Sequence, residues 1–446
     1  MCCGVIDAHL DELDHRCCQA ASEQSLAIMA ASSVTGVYRN TLLQAVYFGP
    51  GSIATSLPSA IETLNLKNKK AFILTGKSLA TKTKVIERVQ QILSSKGYYS
   101  GETYFDIGEH APVAGIREAV ERIKRSNADV IVAVGGGSPI DAAKAVSFYC
   151  HQEEHGEESA RNPLTHPDLF IPTIAVPTTL SVAETTQNAG FKSEEGHKIG
   201  VSSKNLVPRA IIYDAELTLD TPERLWLSTG IRALDHAVEY LYRPDTHPLL
   251  RPSVQSAIRD IFTYLPLSKT EPQNLDVRQK LQLACFNSLW PEARSGALGL
   301  SHGLGHKLGA TYGIGHGITS CITLGATIRF TANFLNTPLL HLQNLADTLP
   351  FIPAPYNPNP TPLGPSVGSG STDPTESELK VLREKATAVG DAVQKLVDDL
   401  GLHSTLKGCG LDAQQPEIVA TKTTGEAKKG SEYWHGVKGI LDSVYE

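Results

Sequence analysis

Apolar positions in the first half of the chain come in short runs separated by amphipathic stretches. Ala71-Phe72-Ile73-Leu74-Thr75 and Val130-Ile131-Val132-Ala133-Val134 are such runs, and a glycine follows each. Short runs rich in β-branched residues predict strands of a parallel sheet buried on both faces. Further strands are predicted at 104–106, 170–176 and 210–214, and one ends at Tyr47-Phe48. Helical spacing over 53–64, 78–96, 113–126 and 140–148 alternates with them, which predicts an α/β domain. Residues 151–168 are polar and read as a loop or insertion. Beyond Thr221 the spacing stays helical, near 230–242, 252–265, 275–290 and 296–310, and again over 376–400. The chain is therefore read as a tail (1–40), an α/β domain (41–220) and an all-helical domain (221–446). Residues 350–374 carry eight of the 26 prolines and predict a long loop in the second domain.

Composition narrows the classes. A length of 446 residues exceeds one domain at ~100–200 residues each. A net charge of −7 and a pI near 6.1 give no basic footprint for nucleic acid or an anionic membrane. No apolar run reaches ~18 residues, so no membrane span is expected. The eight cysteines include no C-x-x-C pair, and Cys2, Cys3, Cys17 and Cys18 fall in the tail. That pattern supports neither a zinc ribbon nor a disulfide framework. With Asp7, Asp11, Glu12 and Asp14 in a tail lacking a secretory apolar core, a cytoplasmic protein is expected.

The run 130–134 leads into Gly135-Gly136-Gly137-Ser138 and then a helix. Glycines allow positive φ and a close approach to a phosphate, and the helix start offers free N–H groups and a positive dipole end. Asp141, read as lying in the first helical turn, suits that dipole. The spacing is neither Walker A nor G-x-G-x-x-G, so the residues indicate a phosphate cradle of another kind. At the end of the run 71–75, a carboxylate would hold a ribose 2′-OH and repel a 2′-phosphate. This chain has Gly76 and Lys77 there, which favours NADPH over NADH.

Four of the 15 histidines fall in two helical segments. His236 lies in Gly230-Ile231-Arg232-Ala233-Leu234-Asp235-His236. His302 and His306 are spaced i, i+4 on one helix face, and a glycine-rich turn can fold His316 back toward them. Clustering among glycines indicates a site, with proton transfer near neutral pH as its natural chemistry.

These pieces together resemble the iron-containing (group III) alcohol dehydrogenases, and most closely the maleylacetate reductase branch. The resemblance runs from about Tyr47 to Leu324. It rests on Tyr47-Phe48-Gly49-Pro50-Gly51, on Gly135 through Lys144, on Val176-Pro177-Thr178-Thr179 with Glu184, on Pro208-Arg209-Ala210 through Asp214, and on the histidine segments. It implies a dehydroquinate synthase-like fold: an α/β dinucleotide-binding domain, an all-α domain, a site in the cleft between them, and a homodimer. It implies that Gly135, Gly136, Gly137 and Ser138 bind the pyrophosphate. Thr178, Thr179 and Ser181 would line the nucleotide, and Lys198 would contact the ribose. Metal-bearing members hold a divalent ion with an aspartate and three histidines, at the positions of residue 232 and of His236, His302 and His316. His306 matches a further histidine near the substrate.

This chain has Arg232 where those members have the aspartate. A guanidinium stays protonated and has no lone pair for a metal. Asp235, adjacent to His236, is expected to point elsewhere on the helix. No metal is therefore expected, and Arg232 is read as a buried cation for an anionic substrate group. The structural alternative is an ion pair with a carboxylate such as Glu239. The function expected is NAD(P)H-dependent reduction of an activated carbonyl or enone, with Arg232 and protonated histidines stabilising the developing negative charge. The substrate would be a carboxylate or a phenolic or polyketide intermediate. Three alternatives stand beside this reading. One is a metal-dependent alcohol dehydrogenase using His236, His302 and His316, which metal analysis distinguishes. The second is a lyase or isomerase that kept the fold without net redox chemistry. The third, a non-catalytic nucleotide-binding protein, does not account for four clustered histidines.

Overall fold

The computed structural model describes residues 38, 40–107, 113–162, 164–193, 198–243, 246–291, 298–357 and 374–446, apart from the side chains of Lys192, Lys198 and Ala310. The tail cysteines and most of the proline-rich loop lie outside the described residues. Arg39–Glu446 forms one compact unit.

Strand β4 (Val130–Gly135) shows how sequence builds the first half, because all six of its residues are buried. Its side chains alternate. Ile131 and Ala133 join one core with Phe72, Leu74 and Ile211, while Val130, Val132 and Val134 join a second core with Ile73, Ile174 and Ile212. That is the period-2 pattern of a sheet covered on both faces. Helices α1 (Ile53–Thr63) and α3 (Val85–Ser95) supply Leu57, Ile61, Val89 and Leu93 to the second core. Helices α4 (Val113–Arg125) and α5 (Gly137–His155) supply Ile116, Val120, Ile123 and Ile140 to the first.

Strands β1 (Ala45–Phe48), β2 (Ala71–Gly76), β3 (Tyr99–Ile107), β5 (Thr173–Pro177) and β8 (Ala210–Tyr213) complete an all-parallel sheet in the order β1-β8-β5-β4-β2-β3. Gly49-Pro50-Gly51, Gly76-Lys77, Gly135–Ser138 and Thr178-Thr179 each lie at the carboxyl end of one of these strands, where ligands bind in open α/β sheets. A two-stranded antiparallel hairpin, β6 (Asn188–Lys192) and β7 (Lys198–Ser202), had no clear signal in the sequence.

Three expectations are corrected. The stretch 78–96 is two helices, α2 (Lys77–Lys82) and α3, because Thr83 is extended between them. Residues 151–168 are not simply a loop: α5 runs on to His155, and α6 (Glu157–Arg161) follows. His151 accounts for this, since it is buried, stacks on Phe170 at 4.1 Å and bonds Ser159 at 3.0 Å. Asp141 stands in the second turn of α5, where its carboxylate accepts from Gly190 N at 3.3 Å rather than facing the helix start.

The second half is helical, as expected, among the described residues. Helix α7 (Glu223–Leu241) is buried continuously from Trp226 to Leu241. Helices α8 (Arg251–Thr270), α9 (Leu275–Ser288), α10 (Leu300–Tyr312) and α11 (His316–Asn333) pack around it. Beyond these lie α12 (Leu339–Ala346), α13 (Glu376–Asp399), α14 (Gln415–Thr424) and α15 (Glu432–Ser443). Helix α10 has two faces. Leu304 and Leu308 enter a third core with Val419, Trp434 and Leu441, which leaves His302, Gly305, His306 and Gly309 for the other side. No helix among the described residues is long and apolar enough to cross a membrane.

Candidate active site

Gly135 ends β4 and Gly137 opens α5. Gly135 has φ of 140°, which disfavours any side chain, and a Cβ there would lie 3.0 Å from Pro139 Cγ. Cβ atoms at Gly136 and Gly137 would lie 3.1 Å from Thr179 Cγ2 and 3.3 Å from Ser181 Oγ. Thr178 N–H donates to Gly135 O at 2.9 Å, fixing the end of β5 against the end of β4. The hydroxyl oxygens of Thr179 and Ser181 are buried and lack a hydrogen-bond partner among the described residues. Such hydroxyls beside a helix start that carries no side-chain cap suit a bound anion. These residues fit the pyrophosphate of NAD(P)H. Ser138 is the second residue of α5. Gly76 ends the neighbouring strand, 3.8 Å from Pro139 Cγ for a Cβ placed there. Lys77 is paired with Asp106 of the adjacent strand at 3.8 Å, a partner the sequence did not reveal. Lys198 opens β7, but its side chain lies outside the described residues.

The histidines come together as a row of rings. Centroids are 5.4 Å apart for His236 and His302, 4.7 Å for His302 and His306, and 5.7 Å for His306 and His316. Absent side chains on α10 admit the neighbours. A Cβ at Gly305 would lie 2.9 Å from Thr319 Oγ1 and 3.5 Å from Arg232 Nη1, and one at Gly309 would lie 3.1 Å from His316 Cε1.

Arg232 stands beside this row, against His302. Its Nη2 donates to His302 Nε2 at 3.0 Å, and its Nη1 donates to Asp235 Oδ2 and to Ser320 Oγ, each at 3.1 Å. The ion-pair partner is Asp235 and not Glu239. Asp235 thus points into the cluster, correcting the expectation that it would face elsewhere. Residues 232, 235, 236 and 239 follow i, i+3, i+4, i+7 and form one stripe of α7. That stripe was the signal available in the sequence. Asp235 is fully buried, and its Oδ2 also accepts from Ser301 Oγ at 3.1 Å and from Ser320 Oγ.

Glu239 performs a different task. Its carboxylate accepts from Gly299 N at 2.9 Å, Ser301 N at 2.7 Å, His302 N at 3.1 Å and the Tyr242 hydroxyl at 3.0 Å. It caps the start of α10 and so aims His302. Burial first, and Asp235 beside it, push Glu239 up to about 8, against the pull of these donors. His302 is lowered well below its usual value by enclosure, by the charge of Arg232 and by the neighbouring rings. An arginine only donates, so His302 Nε2 must accept and the neutral ring carries its proton on Nδ1. His302 therefore cannot be one of the expected protonated histidines.

One ligand atom each from Asp235, Glu239 and His302 lies within 4.8 Å of the other two, a spacing that could gather a cation. Asp235 Oδ2, both oxygens of Glu239 and His302 Nε2 are engaged by Arg232, Ser301, Ser320, Tyr242 and the backbone of α10, while Asp235 Oδ1 and His302 Nδ1 have no hydrogen-bond partner among the described residues. A divalent ion held by these three residues would lie beside a guanidinium. Arg232, a donor with no lone pair, does not fit a divalent ion at this position.

A glycine run at a strand end of a parallel sheet is joined here to a helical half that carries the clustered histidines. The profile described as iron-containing alcohol dehydrogenase matches residues 44–215, and that of the Fe-containing alcohol dehydrogenase family C-terminal domain matches residues 226–358. The chain belongs to the iron-containing alcohol dehydrogenase family, near its maleylacetate reductase branch. It is 31% identical over 177 residues to a maleylacetate reductase of Sphingobium indicum, covering 40% of this chain and 45% of that protein. It is 30% identical over 268 residues to the dehydrogenase FUM7 of Gibberella moniliformis, covering 53% and 61%. The matched segments thus span about half the length of these curated relatives. The crystal structure of maleylacetate reductase from Agrobacterium tumefaciens shares the fold, with a TM-score of 0.69 and 21% identity over 92% of this chain and 98% of that one.

Proposed function

We propose that this protein is an NAD(P)H-dependent reductase of an activated carbonyl or enone and works without a metal ion. The observation that carries the reading is the guanidinium of Arg232 seated between His302 and Asp235, beside the histidine row. The bound nucleotide supplies the hydride; Gly135, Gly136, Gly137, Ser138, Thr178, Thr179 and Ser181 hold its phosphates and the adjoining part of the nucleotide. Gly76 and Lys77 favour NADPH.

Three of the five guanidinium N–H groups serve Asp235, Ser320 and His302. The remaining two have no partner among the described residues and offer a fork to a substrate carboxylate or a developing oxyanion. His236, His306 and His316 carry the proton donor role, because His302 is held neutral. A carboxylate-bearing substrate suits this site best, in a cytoplasmic homodimer.

Titration with NADH and NADPH, followed by a turnover screen of keto and enone acids with and without EDTA, tests the reading. Turnover that survives the chelator supports it. Activity lost with EDTA and restored by iron or zinc would establish the metal-dependent alternative. Nucleotide binding with no net oxidation would favour a lyase or isomerase.

A further inference from the structure

The loop 178–181 faces two ways. Toward the cradle it presents the buried, unpartnered hydroxyls of Thr179 and Ser181. Toward the helical half it is fastened at three points. Thr221 Oγ1 donates to Thr178 O at 2.7 Å, and Leu180 N–H donates to Thr229 Oγ1 at 3.1 Å. The Leu180 side chain lies over Gly230, with Cδ1 3.3 Å from where a Cβ would stand. Thr229 in turn donates back into α7, with Leu225 O at 2.8 Å and Trp226 O at 3.0 Å. It sits one helical turn before Arg232, at i and i+3, and so on the same side of α7.

We infer that Thr229 is a positioning residue that ties the phosphate-facing loop to the helix bearing Arg232. The inference rests on the reading of the glycine cradle as an NAD(P)H site. Thr179 and Ser181 flank Leu180, so holding the Leu180 backbone sets where both hydroxyls stand. The same hydroxyl of Thr229 fixes that loop relative to Arg232, which makes cofactor placement and the substrate cation one construction. No other side chain hydrogen-bonds the Leu180 amide among the described residues. A buried N–H left without its acceptor is costly, so the loop shifts when Thr229 is lost.

The test is Thr229→Val, which keeps the shape and removes the acceptor, with Thr229→Ser as the conservative control. NADH and NADPH affinities are read by fluorescence titration, which needs no turnover. Thr229→Val should weaken both by roughly 5- to 20-fold, the range of one lost buried hydrogen bond. Thr229→Ser should stay within about twofold of the parent. Ser181→Ala should add little to Thr229→Val, because its hydroxyl is already misplaced. In the parent protein, hydrogen exchange at the Leu180 amide should be slow and become slower with nucleotide, a readout available even if Thr229→Val fails to fold. Parent-like affinity in folded Thr229→Val, or fast Leu180 exchange unaffected by nucleotide, would overturn the assignment. A parent protein that binds neither nucleotide would overturn the cofactor reading and this assignment with it.

Discussion

Arg232 donates from Nη2 to Nε2 of His302 at 3.0 Å, a contact that two cationic side chains could not share. The pair requires a neutral imidazole with its proton on Nδ1, and the lowered affinity of His302 for a second proton agrees. Together with Asp235 on Nη1, it turns the guanidinium into a fixed part of the site.

Arg232→Lys should keep the charge and lose the fork. We expect kcat/KM for carboxylate-bearing substrates to fall roughly 10- to 150-fold, equivalent to ~1.5–3 kcal/mol, with a much smaller effect on neutral analogues. Arg232→Ala should also lower the melting temperature sharply, because buried Asp235 would lose its counter-charge. Equal losses on charged and neutral substrates would reduce Arg232 to a brace for α7.

Chelation should leave activity unchanged. Added zinc or iron should not raise it, because a cation held by Asp235, Glu239 and His302 would lie beside the Arg232 guanidinium, which repels it and has no lone pair to give. Metal analysis of the purified protein, with assays before and after EDTA, checks this.

His302 gives the stability a definite pH slope. Its value in the fold lies below 6.5, so below about pH 6.5 the unfolded chain takes up a proton that the folded chain refuses. Its contribution is fully present above that pH and is lost as pH falls toward the folded value. Melting temperatures measured from pH 7.5 down to 5 should fall in the parent relative to His302→Gln; the comparison between the two proteins is the readout, because Glu239, pushed up to about 8, acts in the opposite direction over the same range in both. A slope identical in His302→Gln and the parent would remove His302 as its source.

Gly305→Ala places a methyl 2.9 Å from Thr319 Oγ1 and 3.5 Å from Arg232 Nη1. Overpacking of this kind costs about 1–3 kcal/mol and should displace the guanidinium, so melting temperature and turnover fall together. Gly303→Ala, which meets nothing within 4 Å, is the control and should be nearly neutral.

Gly137→Val should weaken NADH and NADPH by at least tenfold, ~1.4 kcal/mol, by filling the approach to the helix start beside Ser181. The same titrations compare the two nucleotides, and NADPH should bind at least as well as NADH. A strong NADH preference would indicate that Asp106, paired with Lys77, outweighs the lysine at this strand end.

The features the sequence determined by itself are local ones. The buried strands are short apolar runs, the cradle is a glycine run between strand and helix, and His302 and His306 are one helical turn apart. Each depends on backbone geometry within a few residues, which periodicity and φ preferences fix. Asp235 is legible too, because 232, 235, 236 and 239 follow i, i+3, i+4, i+7 and share one stripe of a helix. The rest depended on which helices meet. Glu239 reaches the start of α10 sixty residues later, Ser320 reaches Arg232 from α11, and Leu180 finds Thr229 across the join between sheet and helices. Those meetings require close approach at Gly299, where a Cβ would lie 2.6 Å from Glu239, and at Gly317, where it would lie 2.7 Å from Ser228. A glycine in the sequence shows that space was left, but only the packed structure decides which side chain enters it, because that choice is set by helix crossing and not by the chain's own periodicity.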